Sequence, residues 1–292
     1  MNKLSRLITA TLLLSLPFAA NAHRAWMLPS ATILAGDTPW ITVDAAVSND
    51  IFYFEHFPLQ IEGIGVPFVR PGSNPNAPAR PRANLQITKP DGSLAQPQYG
   101  NTGRYRSTFD VELDQKGTWK LSIANQALFA RYEVDGERKR WSGKLEDLQK
   151  QIPANAKGLE VIRSSSRNEV FVTSGAPTSQ VLAPTGKGLE LVAKTHPNDL
   201  VSGEQAVFGF VLDGKPAAGV KVAIIREGIR YRDQLDEINL ETDSKGEIRV
   251  DWQQPGMYWL EAVSSQQLKP SSASPVTSRR DSYVATLEVM AP

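Results

Sequence analysis

The chain has 292 residues, a formal net charge of +1, three histidines and no cysteine. The lack of cysteine excludes disulfides, thiolate metal sites, iron–sulfur clusters and cysteine nucleophiles, so the core must stabilise the fold. A near-neutral charge argues against nucleic acid as a partner, because phosphate binding needs a clustered basic face.

The first segment has the three parts of a secretory signal peptide. Two basic residues precede an apolar run over 7–18, and the small residues Ala20 and Ala22 occupy the −3 and −1 positions of a cleavage site. The run is shorter than the roughly 20 residues of a membrane-spanning helix, and no second run follows. We therefore expect removal of residues 1–22 and a periplasmic protein without a membrane span. His23 would become the N-terminal residue, and losing the two basic residues would change the net charge from +1 to −1.

Most of the remaining chain alternates apolar and polar residues, which predicts half-buried β-strands. Turn formers separate these runs, and we expect hairpin turns at 213–216 and 243–246. The expected strands cover 39–45, 83–88, 106–113, 118–123, 189–193, 205–212, 220–226, 247–252, 257–262 and 283–289.

Two segments interrupt the strand pattern and suggest how the chain is organised. Apolar residues at helical spacing predict a short helix over 145–152, within an insertion near 135–165. The turn-rich segment 175–188 is the best candidate for a domain boundary. We therefore predict an all-β protein with two immunoglobulin-like β-sandwich domains, 23–183 with the helical insertion and 188–292.

A histidine at a processed N-terminus offers two nitrogen ligands, the α-amine and the ring Nδ1. At pH 7, freeing an α-amine of its proton costs about 1 kcal/mol, against roughly 4 to 5 kcal/mol for a lysine. His23 is therefore a candidate metal ligand. The alternative is that His23 is an arbitrary residue at a processing site.

His56 is the candidate for an opposing imidazole ligand. It lies in the aromatic-rich segment 49–58, where a strand would place Asp50 and His56 on one face and Glu55 on the other. Asp50 or Glu55 could then supply an axial or supporting carboxylate. The alternative is a histidine that only packs among aromatic side chains.

His196 is a weaker candidate for a third imidazole. It follows the first expected strand of the second domain and comes directly before Pro197. It could reach across the domain interface, and only then would all three histidines converge. The alternative is a structural role in the turn.

The chain resembles the DUF4198 family at the mature start 23–30, at Gly36-Asp37 and at the turns 213–216 and 243–246. Members of that family are often described as periplasmic components of cobalt or nickel transport related to the NikM subunit. The resemblance implies an exported, all-β, two-part protein linked to transition-metal uptake. The start at His23 is also similar to copper proteins with a histidine brace.

These observations favour a periplasmic protein that binds a divalent transition metal, Cu, Ni or Co, for uptake or delivery, with no catalytic residues assigned. Nitrogen ligands favour these metals over Mg or Ca, and copper binds most tightly. A membrane metal transporter is the partner that such a role implies. The alternatives are a copper-dependent oxidative enzyme with a histidine brace and a metal-free structural or adhesive module.

Overall fold

A computed structural model describes residues 23–67, 69, 72, 74, 82–271 and 274–292. The predicted signal peptide, residues 1–22, lies outside these described residues. No helix in the described part of the chain is long and apolar enough to cross a membrane.

The described residues form nineteen β-strands and one α-helix, with short 3-10 turns at Gln180–Leu182 and Ile229–Tyr231. The strands of the first half are β1 Arg24–Pro29, β2 Ile33–Leu34, β3 Trp40–Ser48, β4 Phe57–Pro58, β5 Leu85–Thr88, β6 Leu94–Ala95, β7 Gln98–Thr102, β8 Ser107–Glu112, β9 Gly117–Val134, β10 Glu137–Gly143 and, after helix α1 Leu145–Gln151, β11 Lys157–Ser174. The strands of the second half are β12 Leu189–Ala193, β13 Gln205–Leu212, β14 Lys215–Pro216, β15 Lys221–Arg226, β16 Ile238–Glu241, β17 Glu247–Asp251, β18 Gly256–Gln267 and β19 Ser278–Val289.

The strands pair into three sheets, which we name front, central and back. The front sheet has the order β1-β3-β8-β7, with β4 also paired to β3. The central sheet has the order β16-β15-β18-β19-β11-β9-β5-β6, with β10 on β9 and β2 on β11. The back sheet has the order β12-β13-β14, with β17 on β13.

The central sheet is covered by the front sheet on one face and by the back sheet on the other. Val170 and Val172 of β11 pack with Trp119 in the core shared with the front sheet. Phe171 points the other way and packs with Phe208 of the back sheet. Because successive side chains of a strand point to opposite faces, this run of apolar residues can serve both cores.

Strands from both predicted domains belong to the central sheet. β11 and β19 pair in parallel from Ile162–Ser278 to Val170–Thr286. A parallel pair requires a long crossover, and here the whole back sheet lies between the two strands in sequence. The boundary at 175–188 stays a prediction, because strand pairing says nothing about independent folding.

The second half has an immunoglobulin-like arrangement. Tyr258, at the start of β18, donates from its hydroxyl to the carbonyl oxygen of Gln254 at 2.7 Å. Such a tyrosine corner at the entry to a core strand is typical of immunoglobulin-like sandwiches. Burial raises the pKa of the Tyr258 hydroxyl, so it stays a protonated donor. The all-β, immunoglobulin-like fold class predicted from the sequence is confirmed.

The helix is present, but the insertion around it is mainly strand. Helix α1 begins at Leu145, as predicted, and Leu148 packs with Ala130 and Val161. The flanking residues extend β9 and β11 and form β10, which pairs with β9 from Glu137–Val134 to Gly143–Leu128. The helical part of the fold is therefore minor.

The two expected hairpin turns have different outcomes. Asp213 and Gly214 have φ values of 50° and 78°, as a tight hairpin requires, and they join β13 to its partner β14. The turn at 243–246 also forms, but it connects β16 of the central sheet to β17 of the back sheet. It is a crossover between layers, so the hairpin prediction there is wrong.

Candidate metal-binding site

His23 and His56 lie together at one end of the front sheet. Their ring centroids are 4.0 Å apart, and the ring planes are inclined by 21°, so the imidazoles are stacked. Both side chains are exposed. The half-buried ring of Phe57 contacts both, with centroid distances of 5.9 Å to His23 and 4.7 Å to His56.

Strand pairing brings these two histidines to the same place. β3 lies between β1 and β4, with Arg24 opposite Ser48 and Phe57 opposite Val47. His23 comes just before β1 and His56 just before β4. The two histidines therefore flank the last residues of β3 from opposite sides.

Residues 49–56, which we name the aromatic loop, connect β3 to β4 and are not a strand. Phe52 has a φ of 58°, and the amide of Tyr53 donates to the carbonyl of Asp50 at 3.3 Å. Glu55 Oε1 accepts hydrogen bonds from the amides of Asn49 at 2.7 Å and Asp50 at 3.3 Å. The predicted alternation of faces in this segment is therefore wrong, because the backbone forms a loop whose first amides are capped by the Glu55 carboxylate.

Trp26 anchors the aromatic loop from the core of the protein. Its side chain is fully buried, and its indole Nε1 donates to Ser48 Oγ at 2.7 Å. Ser48 Oγ in turn donates to the carbonyl of Asp50 at 2.5 Å. The rings of Phe52 and Phe54 lie 5.4 and 5.5 Å from the Trp26 ring. This packing fixes the path of the chain that leads to His56.

The chain entering β1 is held by the central sheet. Trp259 Nε1 donates to the carbonyl of Ala25 at 3.2 Å, which satisfies the outer edge of β1. The Arg24 guanidinium lies 5.5 Å from the Trp259 ring centroid, and its Nη1 donates to the carbonyl of Asn49 at 2.7 Å. These contacts tie the residue next to His23 to the start of the aromatic loop.

Two arginines hold the outer side of the aromatic loop. Arg230 donates a hydrogen bond to the Tyr53 hydroxyl, and its guanidinium lies 4.8 Å from the Tyr53 ring centroid. The Arg106 guanidinium lies 4.4 Å from the Phe54 ring centroid. Cation–π contacts of this kind add stability beyond burial, so both halves of the molecule position the loop.

The predicted carboxylates do not complete a metal cluster. Glu55 uses Oε1 to cap the loop, and Asp50 lies in the first turn of the same loop. Among the residues that the structure describes, no group of three or more histidine, aspartate or glutamate side chains could hold a metal ion. The side chains therefore supply a histidine pair, and a third nitrogen would have to come from the backbone.

His196 is not part of this site, because protein groups occupy both of its ring nitrogens. Nδ1 accepts from the amide of Asn198 at 3.0 Å. Nε2 lies 3.1 Å from the carbonyl oxygen of Thr178 and 3.2 Å from Thr118 Oγ1. Since Nδ1 acts as an acceptor, Nε2 carries the proton and donates. His196 therefore joins the turn before Pro197 to β9.

His196 also lies at the opposite end of the front sheet. Its partner Thr118 is the second residue of β9, and nearby Leu113 donates its amide to the carbonyl of Pro39, next to the start of β3. The histidine pair lies beyond the other end of β3. A strand of nine residues spans roughly 26 Å, so the three histidines do not converge.

The fold and the site together define an all-β protein with immunoglobulin-like sandwiches and an exposed histidine pair. The profile of the family described as "Domain of unknown function (DUF4198)" matches residues 20–266. The chain belongs to this family.

The other comparisons add little about function. No curated protein matches the chain. Among solved structures, "D0-D1 domain of Intimin" is 12% identical and covers 90% of this chain and 97% of its own, with a TM-score of 0.21. Two tandem V-type regions of VCBP3, a v-region-containing chitin binding protein, are 10% identical and cover 89% of this chain and 98% of their own, with a TM-score of 0.20. Similarities this low carry no argument about function.

Sequence reasoning missed the residues that position the histidine pair. Trp26 and Ser48 form a hydrogen-bonded support between β1 and β3, and Phe57 contacts both imidazoles. A buried tryptophan three residues after a candidate terminal ligand was the available signal. Nothing in the sequence pattern singles out Ser48.

Proposed function

We propose that the processed chain binds one divalent first-row transition metal ion through His23 and His56, for uptake or delivery in the periplasm. The observation that supports this most directly is the contact between two exposed imidazoles, with ring centroids 4.0 Å apart. Stacking at this distance brings nitrogen donors together from two distant points of the sequence.

The proximity of the two rings suits a shared metal ion. A first-row metal binds imidazole nitrogen at about 2.0–2.1 Å, so two ligating nitrogens lie within about 4.2 Å of each other. With the ring centroids 4.0 Å apart, rotation of the two exposed side chains would bring one nitrogen of each ring within that range. Within the described part of the chain, neither ring forms a hydrogen bond, so a metal would displace no protein partner of these nitrogens.

The third nitrogen in this proposal is the α-amine of His23. Cleavage after Ala22 would free it, and the amine and Nδ1 of one residue can chelate the same ion. The α-amine needs only about 1 kcal/mol to lose its proton at pH 7. Amine, Nδ1 and the His56 imidazole then make a three-nitrogen site with an open position.

The donor set decides which metals are suitable. Imidazole and amine nitrogens favour Cu(II), Ni(II) and Co(II), with copper bound most tightly, whereas Mg²⁺ and Ca²⁺ prefer oxygen ligands. The metal carried in the cell also depends on supply. A membrane metal transporter would be the natural acceptor of an ion held at an exposed site.

A copper-dependent oxidative enzyme is the second candidate, and the exposure of the pair favours it. An open coordination position is what a catalytic metal site keeps. Production of hydrogen peroxide by the copper-loaded chain with ascorbate and oxygen would separate this role from carriage. The metal-free module is less well supported, because it predicts that the histidines lie apart.

Calorimetric titration tests the proposal. A chain beginning at His23, titrated with Cu(II) and with Ni(II) in a non-coordinating buffer, should bind about one ion. A glycine inserted before His23, or His56→Ala, should each weaken binding at least about a hundredfold, because each removes a nitrogen ligand. His196→Ala is the matched control and should leave the affinity unchanged. Equal binding by the extended chain, His56→Ala and the unaltered chain would contradict the proposal.

A further inference from the structure

Two exposed aromatic side chains form a second feature at the other end of the front sheet. Trp40 is 40% exposed and Tyr99 is 79% exposed, and their ring centroids are 6.0 Å apart with planes inclined by 43°. Trp40 opens β3, so this pair lies roughly 26 Å from the histidine pair, at the far end of the same strand. We name this feature the aromatic platform.

The backbone at Tyr99 is strained in a way that aims its ring. Tyr99 has a φ of 48°, a left-handed conformation that bulky residues rarely adopt. It lies where the pairing of β7 with β8 shifts between Gln98 and Asn101, which is a β-bulge. Bulges redirect side chains, and strain of this kind concentrates at functional sites. Here the bulge presents the Tyr99 ring beside Trp40.

A cleft of about 290 Å³ adjoins the aromatic platform. The residues that join the two are Glu112, which lies opposite Trp40 in the strand register, and Gln98, which precedes Tyr99. The cleft combines carboxylates, amides and one ammonium group, from the residues Lys89, Leu94, Ala95, Gln96, Gln98, Glu112 and Asp114.

Some charged groups of the cleft form ion pairs, whereas one of them has no partner among the residues described. Lys89 Nζ pairs with the Asp114 carboxylate at 2.6 Å. The half-buried Glu112 carboxylate forms no hydrogen bond or ion pair within the described part of the chain. The cross-strand neighbour of the exposed Trp40 is therefore a carboxylate that is unpaired among these described residues.

We infer that the aromatic platform binds a neutral pyranose saccharide. The C–H faces of a pyranose are apolar and flat, so they can cover exposed aromatic rings and remove them from water. Its hydroxyl groups both donate and accept hydrogen bonds, which matches the carboxylate and amide groups of the cleft. A concave site with an apolar surface and a few convergent polar groups is the usual form of a small-molecule site.

An organic cation is the competing occupant, and the geometry favours the saccharide. The two rings lie side by side at 43° and do not enclose a cage, whereas cation recognition uses rings that surround the charge.

Calorimetric titration of metal-free mature protein with chitohexaose and with cellohexaose tests this inference independently of the metal site. At least one of the two sugars should bind. Trp40→Ala and Tyr99→Ala should each lower the affinity at least about tenfold, whereas Tyr99→Phe, which keeps the ring, should stay within about threefold. Tyr231→Ala is the matched control, because Tyr231 is 88% exposed but lies outside the platform.

Tyr99→Gly separates binding from folding. Glycine tolerates the positive φ, so this variant should melt at the same or a higher temperature while losing sugar affinity. The inference is overturned if neither sugar binds, or if both alanine variants bind like the unaltered protein. Tight binding of spermidine that is lost in Glu112→Gln, without sugar binding, would assign the platform to cations instead.

Discussion

The histidines of this protein occupy two contrasting environments. His196 has a protein partner at each ring nitrogen and links the turn before Pro197 to β9. His23 and His56 are exposed, stacked on each other, and free of hydrogen bonds within the described residues. An imidazole can bind a metal only through a nitrogen lone pair, so only the second environment has ligands to offer.

The contrast shows that a small number of histidines does not predict that all of them lie in one site. Three histidines in a chain without cysteine suggest one shared site, but the hydrogen-bonding needs of a turn account for one of them. The supporting contacts differ as well. Trp26 and Ser48 hold the loop before His56, whereas His196 is itself the support for its surroundings.

The largest effect should come from removing the anchor of the aromatic loop. Trp26→Ala empties a fully buried indole site and should lower the free energy of unfolding by about 3–5 kcal/mol. It should also weaken metal binding, since the path to His56 depends on this ring. Denaturant unfolding and metal titration measure the two effects. Retained metal affinity would show that the loop does not need Trp26.

The next prediction compares the loss of stability caused by removing His196 with that caused by removing His56. His196→Ala leaves the amide of buried Asn198 without its acceptor, whereas the exposed Thr178 carbonyl can turn to water, so the change should cost about 1–3 kcal/mol of stability. His56→Ala removes an exposed ring and should change stability by less than about 0.5 kcal/mol. Thermal unfolding of both variants without metal provides the comparison. A reversed order of the two effects would refute the assignment of roles.

A smaller effect should follow from Ser48→Ala. This change removes the acceptor of the buried Trp26 N–H and the donor to the Asp50 carbonyl. An unsatisfied buried donor costs about 1–3 kcal/mol, and we expect the lower half of that range because the loop can relax. Ser48→Thr keeps the hydroxyl and is the control in a chemical denaturation series.

The smallest effect concerns pH and separates metal release from unfolding. Hydrogen bonds from Arg279 lower the pKa of Asp213 from 3.8 to about 2. Between these values the unfolded chain binds more protons than the folded chain. The contribution of Asp213 is therefore complete above about pH 4 and is lost as the pH falls towards 2. The carboxylate is half exposed, so solvent screening keeps the effect small.

Metal release should occur well above that window. Protons compete with metal for imidazole nitrogens, so affinity should fall between about pH 7.5 and pH 5.5 while the fold stays intact. Circular dichroism and metal titration over the same pH series would check this, with Asp213→Asn flattening only the acid limb of the stability curve. Loss of structure together with metal would contradict the separation.

Regular strands were predictable from the sequence because apolar and polar residues alternate in a strand that is buried on one face. β12 and β13 have the predicted bounds, Leu189–Ala193 and Gln205–Leu212. The longer strands β9 and β11 were underestimated, since their outer halves are mostly exposed or half-buried and mix apolar with polar residues without a clear period of two. Pairing partners distant in sequence, such as β11 with β19, have no local signal.

The candidate site was predictable in its ligands but not in its geometry. The position of His23 after the predicted cleavage site, and the clustering of aromatics around His56, pointed to the pair. The segment around His56 looked like a strand because apolar residues alternate there. The segment forms a loop because Glu55 accepts hydrogen bonds from the amides of Asn49 and Asp50, and such a side-chain cap within a loop leaves no periodic pattern in the sequence.

The most direct test of the account is the coordination of Cu(II) in a chain that begins at His23. Electron paramagnetic resonance should show three nitrogen donors, two of them imidazole, in the unaltered chain and in His196→Ala. His56→Ala should lose one imidazole, and a chain with one added N-terminal residue should lose the amine donor. A spectrum unchanged by both of these alterations would show that copper binds elsewhere and would contradict the histidine-pair site.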